Sequence, residues 1–337
     1  MERPYSLCVL DRDGDGRPTF AAGSEAEGGP LMVFSPPGYE PRVIADQPGG
    51  FVCLCPFFVE ARPAILAATQ FFPGFNSAGA RLCVYPLDGE APFEIARAPY
   101  AHRIALCESG GQRCLLVSTL CTAKAFKEDW SQPGQVLMAP VPQDVRSAWA
   151  LRPIVTGLTH NHGMDPARLS GERRDGYLLS ADEGLFYLRV PDDPVQSWPV
   201  EKLAPGPHSD AVAHTGPDGQ TLLFTISPFH GNQLAMYEPA NGAWRRRVIA
   251  DDLDFGHIVW AGELGRQSML IAGGRGGRKE LRLYAITDLL AGRKDYAILD
   301  EGVGAAQISV VNCAGDSATL IVTAHGAGEV RLYDLVT

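Results

Sequence analysis

Short apolar segments recur along the chain at intervals of roughly 46 to 60 residues, and turns rich in glycine, proline and aspartate separate them. In each repeat, a continuous apolar run follows another apolar run and precedes a segment in which apolar and polar residues alternate. Both patterns are typical of short β-strands, buried on both faces or on one. The seven continuous runs are Phe20–Gly23, Ile65–Ala68, Leu115–Ser118, Tyr177–Ser180, Leu222–Thr225, Met269–Ala272 and Leu320–Thr323.

Seven repeats of this length, each with up to four strands, predict an all-β fold, a seven-bladed β-propeller. We expect a single domain over residues 1–337, with blades that begin near residues 5, 51, 102, 162, 209, 256 and 306. Helical periodicity is weak throughout, and the segment from Ile286 to Gly292 makes one helical turn at most. The last repeat has no obvious fourth strand, so the pattern leaves open how the ring closes.

Five polar residues open the first strands of repeats three to seven: His102, His162, Asp210, His257 and Gln307. The first strand of each blade lines the central channel of a propeller, so these side chains should converge on one axis. Imidazole, carboxylate and amide groups together suit a divalent metal ion, with zinc, manganese, magnesium and nickel left open. The alternative is a hydrogen-bonded polar plug that seals the channel. Repeats one and two contribute Tyr5 or Ser6 and Val52 at this position, so we expect the metal to lie off the axis.

A second set of histidines lies in loops that reach the same face of the propeller. His160 and His208 precede first strands, whereas His230 and His325 lie between second and third strands. Seven of the eight histidines thereby fall on one face, and only His214 does not. Aromatic and charged residues of the same loops include Phe71, Phe75, Lys124, Trp130, Asp182 and Arg275. Such groups around a ring of histidines predict a pocket for a sugar.

The bulk composition narrows the choice of partners. The chain has a net charge of −10 and no run of lysine or arginine, which argues against nucleic acid or an anionic membrane. No apolar stretch approaches the roughly 18 residues of a transmembrane helix, and no signal-peptide pattern opens the chain, so we expect a cytoplasmic protein. The 8 cysteines form no CxxC pair and mostly lie in strand patterns, which predicts reduced, buried thiols.

The segment Asp11–Gly16 has aspartates at alternate positions, like the start of a calcium-binding loop. The twelfth position of such a loop is Ala22 here, where an EF-hand needs glutamate. We therefore predict a tight hairpin turn rather than a calcium site.

The C-terminal half, from His208 to Asp334, resembles the FG-GAP/VCBS-type repeat propellers, including the propeller domain of aldos-2-ulose dehydratases (1,5-anhydrofructose dehydratases). The resemblance is faint over residues 40–150. Four segments carry it: Ser227–Leu234, Asp251–Ile258, Ile271–Gly277 and Gly304–Val310.

This resemblance implies a metal-dependent carbohydrate lyase, a carbon–oxygen lyase that dehydrates a keto-sugar such as an anhydrofructose, an osone or a 3-keto-glycoside. The metal would polarise the carbonyl, and a base would remove the α-proton before β-elimination. The expected acid and base residues are His160, His208 and His230. Tyr100, Lys124 and Arg275 are expected to assist at the oxyanion.

The alternative function is a non-catalytic propeller that binds a glycan or a protein through the same face. A hydrolase is a third reading, although no pair of carboxylates stands at matching positions for glycoside hydrolysis. The expected partner is a small carbohydrate, and the sequence leaves open whether the chain forms a homo-oligomer.

Overall fold

The computed structural model describes residues 1–14, 16–72, 77–173, 175–216, 219–312 and 317–336. Its strands form seven antiparallel sheets, each built from consecutive strands, and the first strands of neighbouring blades contact one another around a central channel. The predicted all-β, seven-bladed propeller is confirmed. Asp15, Phe75 and Cys313 lie outside the described residues.

The strands of blades 1 to 3 have the following bounds. Blade 1 contains β1 (Pro4–Arg12), β2 (Pro18–Ser24), β3 (Leu31–Phe34) and β4 (Pro41–Ala45). Blade 2 contains β5 (Cys53–Val59), β6 (Arg62–Thr69), β7 (Arg81–Pro86) and β8 (Phe93–Arg97). Blade 3 contains β9 (Ala101–Ser109), β10 (Gln112–Cys121), β11 (Pro133–Pro140) and β12 (Arg152–Leu158).

Blades 4 to 7 follow the same order, and a single short helix interrupts blade 6. Blade 4 contains β13 (Gly163–Ala167), β14 (Gly176–Ala181), β15 (Gly184–Leu188) and β16 (Val200–Pro205). Blade 5 contains β17 (Asp210–Thr215), β18 (Thr221–Ser227), β19 (Gln233–Ala240) and β20 (Ala243–Ala250). Blade 6 contains β21 (Gly256–Leu264), β22 (Gln267–Gly274), β23 (Leu281–Ala285), α1 (Ile286–Leu290) and β24 (Ala297–Asp300). Blade 7 contains β25 (Ala305–Asn312), β26 (Ser317–Ala324) and β27 (Glu329–Val336).

The core lies between the blades, because each sheet packs its faces against its two neighbours. Second strands are therefore buried on both faces, and every residue of β18 is buried. Between blades 5 and 6, for example, Phe224 and Met236 pack with Leu270 and Tyr284. Burial of side chains of this size stabilises the fold by about 1.5–3 kcal/mol each. This is why the continuous apolar runs were the most regular feature of the sequence.

The ring closes by direct packing of blade 1 on blade 7, the point that the sequence left open. The Leu7 amide donates a hydrogen bond of 2.7 Å to Gln307 Oε1. Thr323 Oγ1 donates a hydrogen bond of 2.8 Å to the Tyr5 carbonyl. Leu7 also packs with Ile321 in a small apolar cluster. Blades 1 and 7 thus share side-chain contacts rather than a strand.

Four first strands, those of blades 1, 3, 6 and 7, carry a β-bulge at the end near the candidate site. In blades 1, 3 and 6 the extra residues, which have no partner in the second strand, are Tyr5, His102 and His257. In blade 7 the corresponding residue is Ala306, and Gln307 lies one residue further, paired with Thr323. Bulges redirect side chains, and a shift of one residue turns a strand side chain to the opposite direction. The bulges therefore group Tyr5 with His102 and His257, and they separate Gln307 from them.

The other local features follow the sequence closely. Asp13 and Arg17 pair across the turn between β1 and β2, as a hairpin requires. The cysteines among the described residues are free thiols, and most are buried. Among these residues no helix is long and apolar enough to cross a membrane.

Candidate functional site

A cavity of about 440 Å³ opens on the face where the first strands begin, and we call it the upper pocket. Residues at the top of the channel form its floor, including Tyr5, His102 and His162. Loops of several blades form its walls and carry Glu25, Phe71, Tyr100, Lys124, Trp130, Phe229, His230, Phe255 and Arg275. The upper pocket thus combines imidazoles, the guanidinium groups of Arg3 and Arg275 and several aromatic rings, as the loop composition predicted.

The floor is held by hydrogen bonds that fix the tautomers of two histidines. His102 Nδ1 lies 3.1 Å from the His162 carbonyl and must donate to it, which leaves Nε2 to accept from the Tyr5 hydroxyl at 3.1 Å. His257 Nε2 lies 3.2 Å from both the Tyr5 hydroxyl and Arg275 Nη1, and a guanidinium can only donate. His257 therefore accepts at Nε2 and carries its proton at Nδ1.

Three histidines of the upper pocket can hold a metal ion. The ligand atoms of His162, His230 and His257 all lie within 4.8 Å of one another. His162 Nε2 and His230 Nε2 are 3.2 Å apart, close to the edge of a tetrahedron of zinc–nitrogen bonds, about 3.3–3.4 Å. His162 Nδ1 lies 3.0 Å from Asp210 Oδ2 without the alignment of a hydrogen bond, and a carboxylate beside the second ring nitrogen is usual for metal-bound histidines.

Burial keeps two of these imidazoles neutral, as metal ligands must be. Burial lowers the pKa of His230 to about 2, and the nearby His162 and Arg275 add to the effect. Burial likewise holds the pKa of His257 well below its ordinary value, reinforced by Arg275. A metal ion would compete with Arg275 for the lone pair of His257 Nε2. The donor set of three imidazoles therefore fits zinc or a similar divalent ion.

Four rings form a continuous stack along one wall of the upper pocket. Neighbouring ring centroids are 4.3 Å apart for His160 and Phe229, 4.0 Å for Phe229 and His230, and 4.3 Å for His230 and Phe255. Three of these residues have left-handed backbone, with φ of 50° at His160, 46° at His230 and 55° at Phe255, and so does Tyr100, with 58°. Such conformations cost about 1–3 kcal/mol each in a residue other than glycine, and they concentrate at functional sites.

Arg275 is fixed by a second group of charged residues. Its Nη2 lies 3.0 Å from His325 Nδ1 and 3.6 Å from Glu25 Oε1. The buried Glu25 also accepts from Arg3 at 2.6 Å and contacts His325. Burial alone would raise the pKa of Glu25, but the bond to His325 and the two arginines outweigh it and lower the pKa. The network keeps the Arg275 guanidinium directed at His257, on the floor of the upper pocket.

Two of the five predicted metal ligands, His162 and His257, lie in the three-histidine cluster. His102 lies beside it, with both ring nitrogens in hydrogen bonds. Asp210 backs His162 from below and lies 3.7 Å from Arg103 Nη2. Gln307 is not brought to the cluster, because its oxygen accepts from the Leu7 amide.

Of the six residues predicted for acid–base or oxyanion chemistry, four line the upper pocket. His230 and Arg275 lie at the cluster, and Tyr100 and Lys124 line the wall. Lys124 Nζ lies 3.1 Å from the centroid of the Trp130 ring.

Two of the predicted histidines have other partners. His160 is the end ring of the stack, and its Nδ1 is 2.7 Å from Asp182 Oδ2. His208 is directed away from the upper pocket, because its Nε2 bonds the Tyr237 hydroxyl at 2.8 Å.

Sequence reasoning missed two residues of the site. Tyr5 occupies the position in blade 1 that His102 and His257 occupy in blades 3 and 6. Its sequence position did not indicate that the hydroxyl would contact both of these histidines. Glu25 follows β2, so it occupies in blade 1 the same second-to-third loop that carries His230 in blade 5 and His325 in blade 7. That equivalence was the available signal for Glu25.

The chain matches no family model and no curated protein. It is similar to the solved structure of a functionally unknown protein from Desulfotomaculum acetoxidans DSM 771, with 11% identity, 95% of this chain and 89% of that chain covered, and a TM-score of 0.57. A "putative 6-phosphogluconolactonase" from Bacteroides fragilis has 10% identity, coverage of 99% and 96%, and a TM-score of 0.55. The periplasmic gluconolactonase PpgL of Pseudomonas aeruginosa has 15% identity, coverage of 99% and 96%, and a TM-score of 0.54. At these identities the likeness shows the fold alone.

The comparisons correct the expected enzyme class. The similar structures that have a named activity are described as lactonases, which are hydrolases, so the expectation of a carbon–oxygen lyase is wrong. The physical arrangement agrees with the correction, since His208, one of three expected proton-transfer residues, bonds Tyr237 instead. The FG-GAP/VCBS resemblance stays a prediction.

Proposed function

We propose that the protein is a metal-dependent hydrolase of a sugar lactone, a small carbohydrate ester closed on itself. The observation that carries the proposal is the meeting of three imidazoles and the Arg275 guanidinium on one side of the upper pocket. Lactone hydrolysis needs an activated water and a donor to the carbonyl oxygen, and this group of side chains supplies ligands for the first and the donor for the second. The descriptions of two similar structures favour a lactone among carbohydrate substrates.

Hydrolysis adds water across the ring ester. The water oxygen bonds to the carbonyl carbon, the bond from that carbon to the ring oxygen breaks, and the ring oxygen takes up a proton. A divalent ion held by His162, His230 and His257 would act as a Lewis acid and lower the pKa of water. Arg275 donates to the oxyanion of the tetrahedral intermediate, and such a donor contributes about 2.7–4 kcal/mol to catalysis.

The remaining residues hold these groups in place. Asp210 orients His162 through Nδ1, so that Nε2 faces the upper pocket. Glu25 and His325 hold the guanidinium of Arg275 against His257. The stacked wall of Phe229 and Phe255 removes water from around His230, which keeps that imidazole neutral. Preorganised groups of this kind need no rearrangement as charge develops in the transition state.

The test combines metal analysis with an assay. Purified protein is dialysed, its metal content is measured by mass spectrometry, and hydrolysis of glucono-δ-lactone is followed by pH-stat with subtraction of the spontaneous rate. We expect about one equivalent of a divalent metal, and loss of both metal and turnover in His162→Ala and His257→Ala. His214→Ala is the matched control, since His214 lies elsewhere, near Glu263.

Two results would reject the proposal. One is metal and turnover that are unchanged in both variants. The other is a folded wild-type protein that accelerates no sugar lactone at any metal loading, which would favour the non-catalytic binding propeller instead.

A further inference from the structure

A second cavity of about 550 Å³ lies in the central channel beneath the histidine floor, and we call it the lower cavity. We propose that the lower cavity binds a small carboxylate with an apolar body, such as an aryl or short alkyl carboxylic acid. This site is separate from the reaction proposed for the upper pocket and does not depend on it. Two observations support it: mostly apolar walls, and buried hydrogen-bond donors without a partner beneath the histidine floor.

The walls of the lower cavity are mostly apolar. First strands of several blades contribute Ile104, Met164, Val212, Ile258 and Trp260. A channel lined in this way excludes a polar sugar acid but accommodates a hydrocarbon or an aromatic ring. Mostly apolar walls with a few convergent polar groups are the usual composition of small-molecule sites.

Two of the buried polar groups that line the lower cavity are donors without an acceptor, and they lie beside one acceptor without a donor, Asp210 Oδ2. Arg103 is 9% exposed, and its Nη1 has no hydrogen-bond partner among the described residues. The same holds for His257 Nδ1, which carries the proton because Nε2 accepts from Arg275. Gln307 uses its oxygen for the Leu7 amide and keeps its Nε2 for donation. All three residues line the lower cavity.

An unpaired buried donor costs about 1–3 kcal/mol, more when it is charged, so a ligand that accepts from these groups is favoured. A carboxylate has two oxygens and about four acceptor sites, enough for the three donors. A guanidinium also matches its planar shape better than any other side chain.

Two acids near these donors do not cancel this preference. Asp210 lies between Arg103 and His162, at 3.7 Å from the former, so its charge is already shared. Burial and the neighbouring Asp210 raise the pKa of Asp165 to about 7, against the influence of Arg103. Asp165 is therefore largely neutral in weakly acidic solution. The positive charge of Arg103 and the negative charge of Asp210 then cancel, so an added carboxylate meets no net negative charge.

The experiment uses benzoate as the probe, at pH 6, with isothermal titration calorimetry and the fluorescence of Trp260, which lines the lower cavity. We expect saturable binding by the wild-type protein and a loss of affinity of about tenfold to a hundredfold in Arg103→Gln. Trp260→Phe should bind benzoate but lose the fluorescence change. Arg97→Gln is the matched control, because the exposed Arg97 lines neither cavity, and its affinity should stay within about twofold.

A second variant keeps the test informative if Arg103→Gln does not fold. Val212→Asp places a negative charge in the wall and should abolish benzoate binding while lactone hydrolysis continues. The proposal is overturned if folded wild-type protein does not bind benzoate, or if Arg103→Gln binds it as well as wild type does. It is also overturned if gluconate binds as tightly as benzoate, since apolar walls would then play no part.

Discussion

The upper pocket and the lower cavity share the histidine floor, but they differ in whether their polar groups have hydrogen-bond partners. Above the floor, the main donors have acceptors: Arg275 has His257 and His325, and Tyr5 has His102. Below it, Arg103 Nη1 and His257 Nδ1 have no acceptor among the described residues. A site whose groups already hold one another is preorganised for a reaction, whereas a site with unpaired groups gains free energy from a ligand. The difference teaches that two cavities on one axis can serve separate purposes.

The largest expected effect comes from removing the guanidinium of Arg275 from the upper pocket. Arg275→Met should lower kcat for lactone hydrolysis about 100- to 1,000-fold, because the oxyanion loses its donor. The affinity of the lower cavity for benzoate should not change. Parallel pH-stat and calorimetric titrations measure both, with Arg97→Met as the control. A kcat within about threefold of wild type would contradict the role of Arg275 as the oxyanion donor.

A smaller loss should follow from releasing Arg275 rather than removing it. Glu25→Gln keeps the shape of the side chain but removes the charge that holds Arg275, Arg3 and His325. We expect kcat to fall about tenfold with KM and metal content nearly unchanged, since the guanidinium is less firmly directed. Steady-state kinetics at several lactone concentrations separate the two constants. A rise in KM alone would mean that Glu25 contacts the substrate instead.

Acid should weaken the floor that the two cavities share. Burial holds the pKa of His102 well below its ordinary value of 6.5, and the neighbouring His162 and Arg103 add to this. The folded state therefore keeps the imidazole neutral while the unfolded chain takes up a proton below pH 6.5. Each such histidine removes about 1.4 kcal/mol from the free energy of unfolding per pH unit in that range.

Urea denaturation at pH 7 and pH 5.5 measures this slope. His102→Gln retains an acceptor for Tyr5 and should flatten the slope by the share of one histidine. An unchanged slope would show that His102 is protonated in the folded state, contrary to the hydrogen bonds described.

The smallest effect should come from the exposed end of the ring stack. Phe255 is 42% exposed and stacks on His230. Phe255→Leu should lower the free energy of unfolding by about 0.5–1.5 kcal/mol and leave benzoate binding unchanged. Val195→Ala, at a residue that is 83% exposed, is the control and should change stability by less than about 0.5 kcal/mol. Equal effects in the two variants would mean that the stack contributes nothing.

The fold could be predicted because its physical requirement repeats along the chain. Each blade must bury a continuous apolar second strand, such as β18, and each such strand is visible as a run of four or more residues. The gathering of histidine loops on one face followed from topology alone, which places alternate loops of an antiparallel blade at the same end.

The depth of each side chain could not be predicted, because it depends on bulges. One extra residue lets His257 contact Arg275 of the upper pocket while it also lines the lower cavity, whereas Gln307, one residue beyond the bulge of blade 7, lines the lower cavity and not the upper pocket. His208 shares the loop position of the other histidines but turns to the Tyr237 hydroxyl. The local pattern of apolar and polar residues indicates neither the position of a bulge nor a hydrogen bond to a residue far along the chain, such as Tyr237.

The seam between blades 1 and 7 has a mechanical consequence. Every blade is held together by a ladder of backbone hydrogen bonds, whereas the seam has side-chain packing and a few bonds such as those of Leu7 and Thr323. A pulling force on residues 1 and 336 would therefore part the ring at this seam while the sheets stay intact. Tyr5 and Gln307 lie on its two sides, so such a molecule would lose both cavities at once and still retain nearly all of its secondary structure.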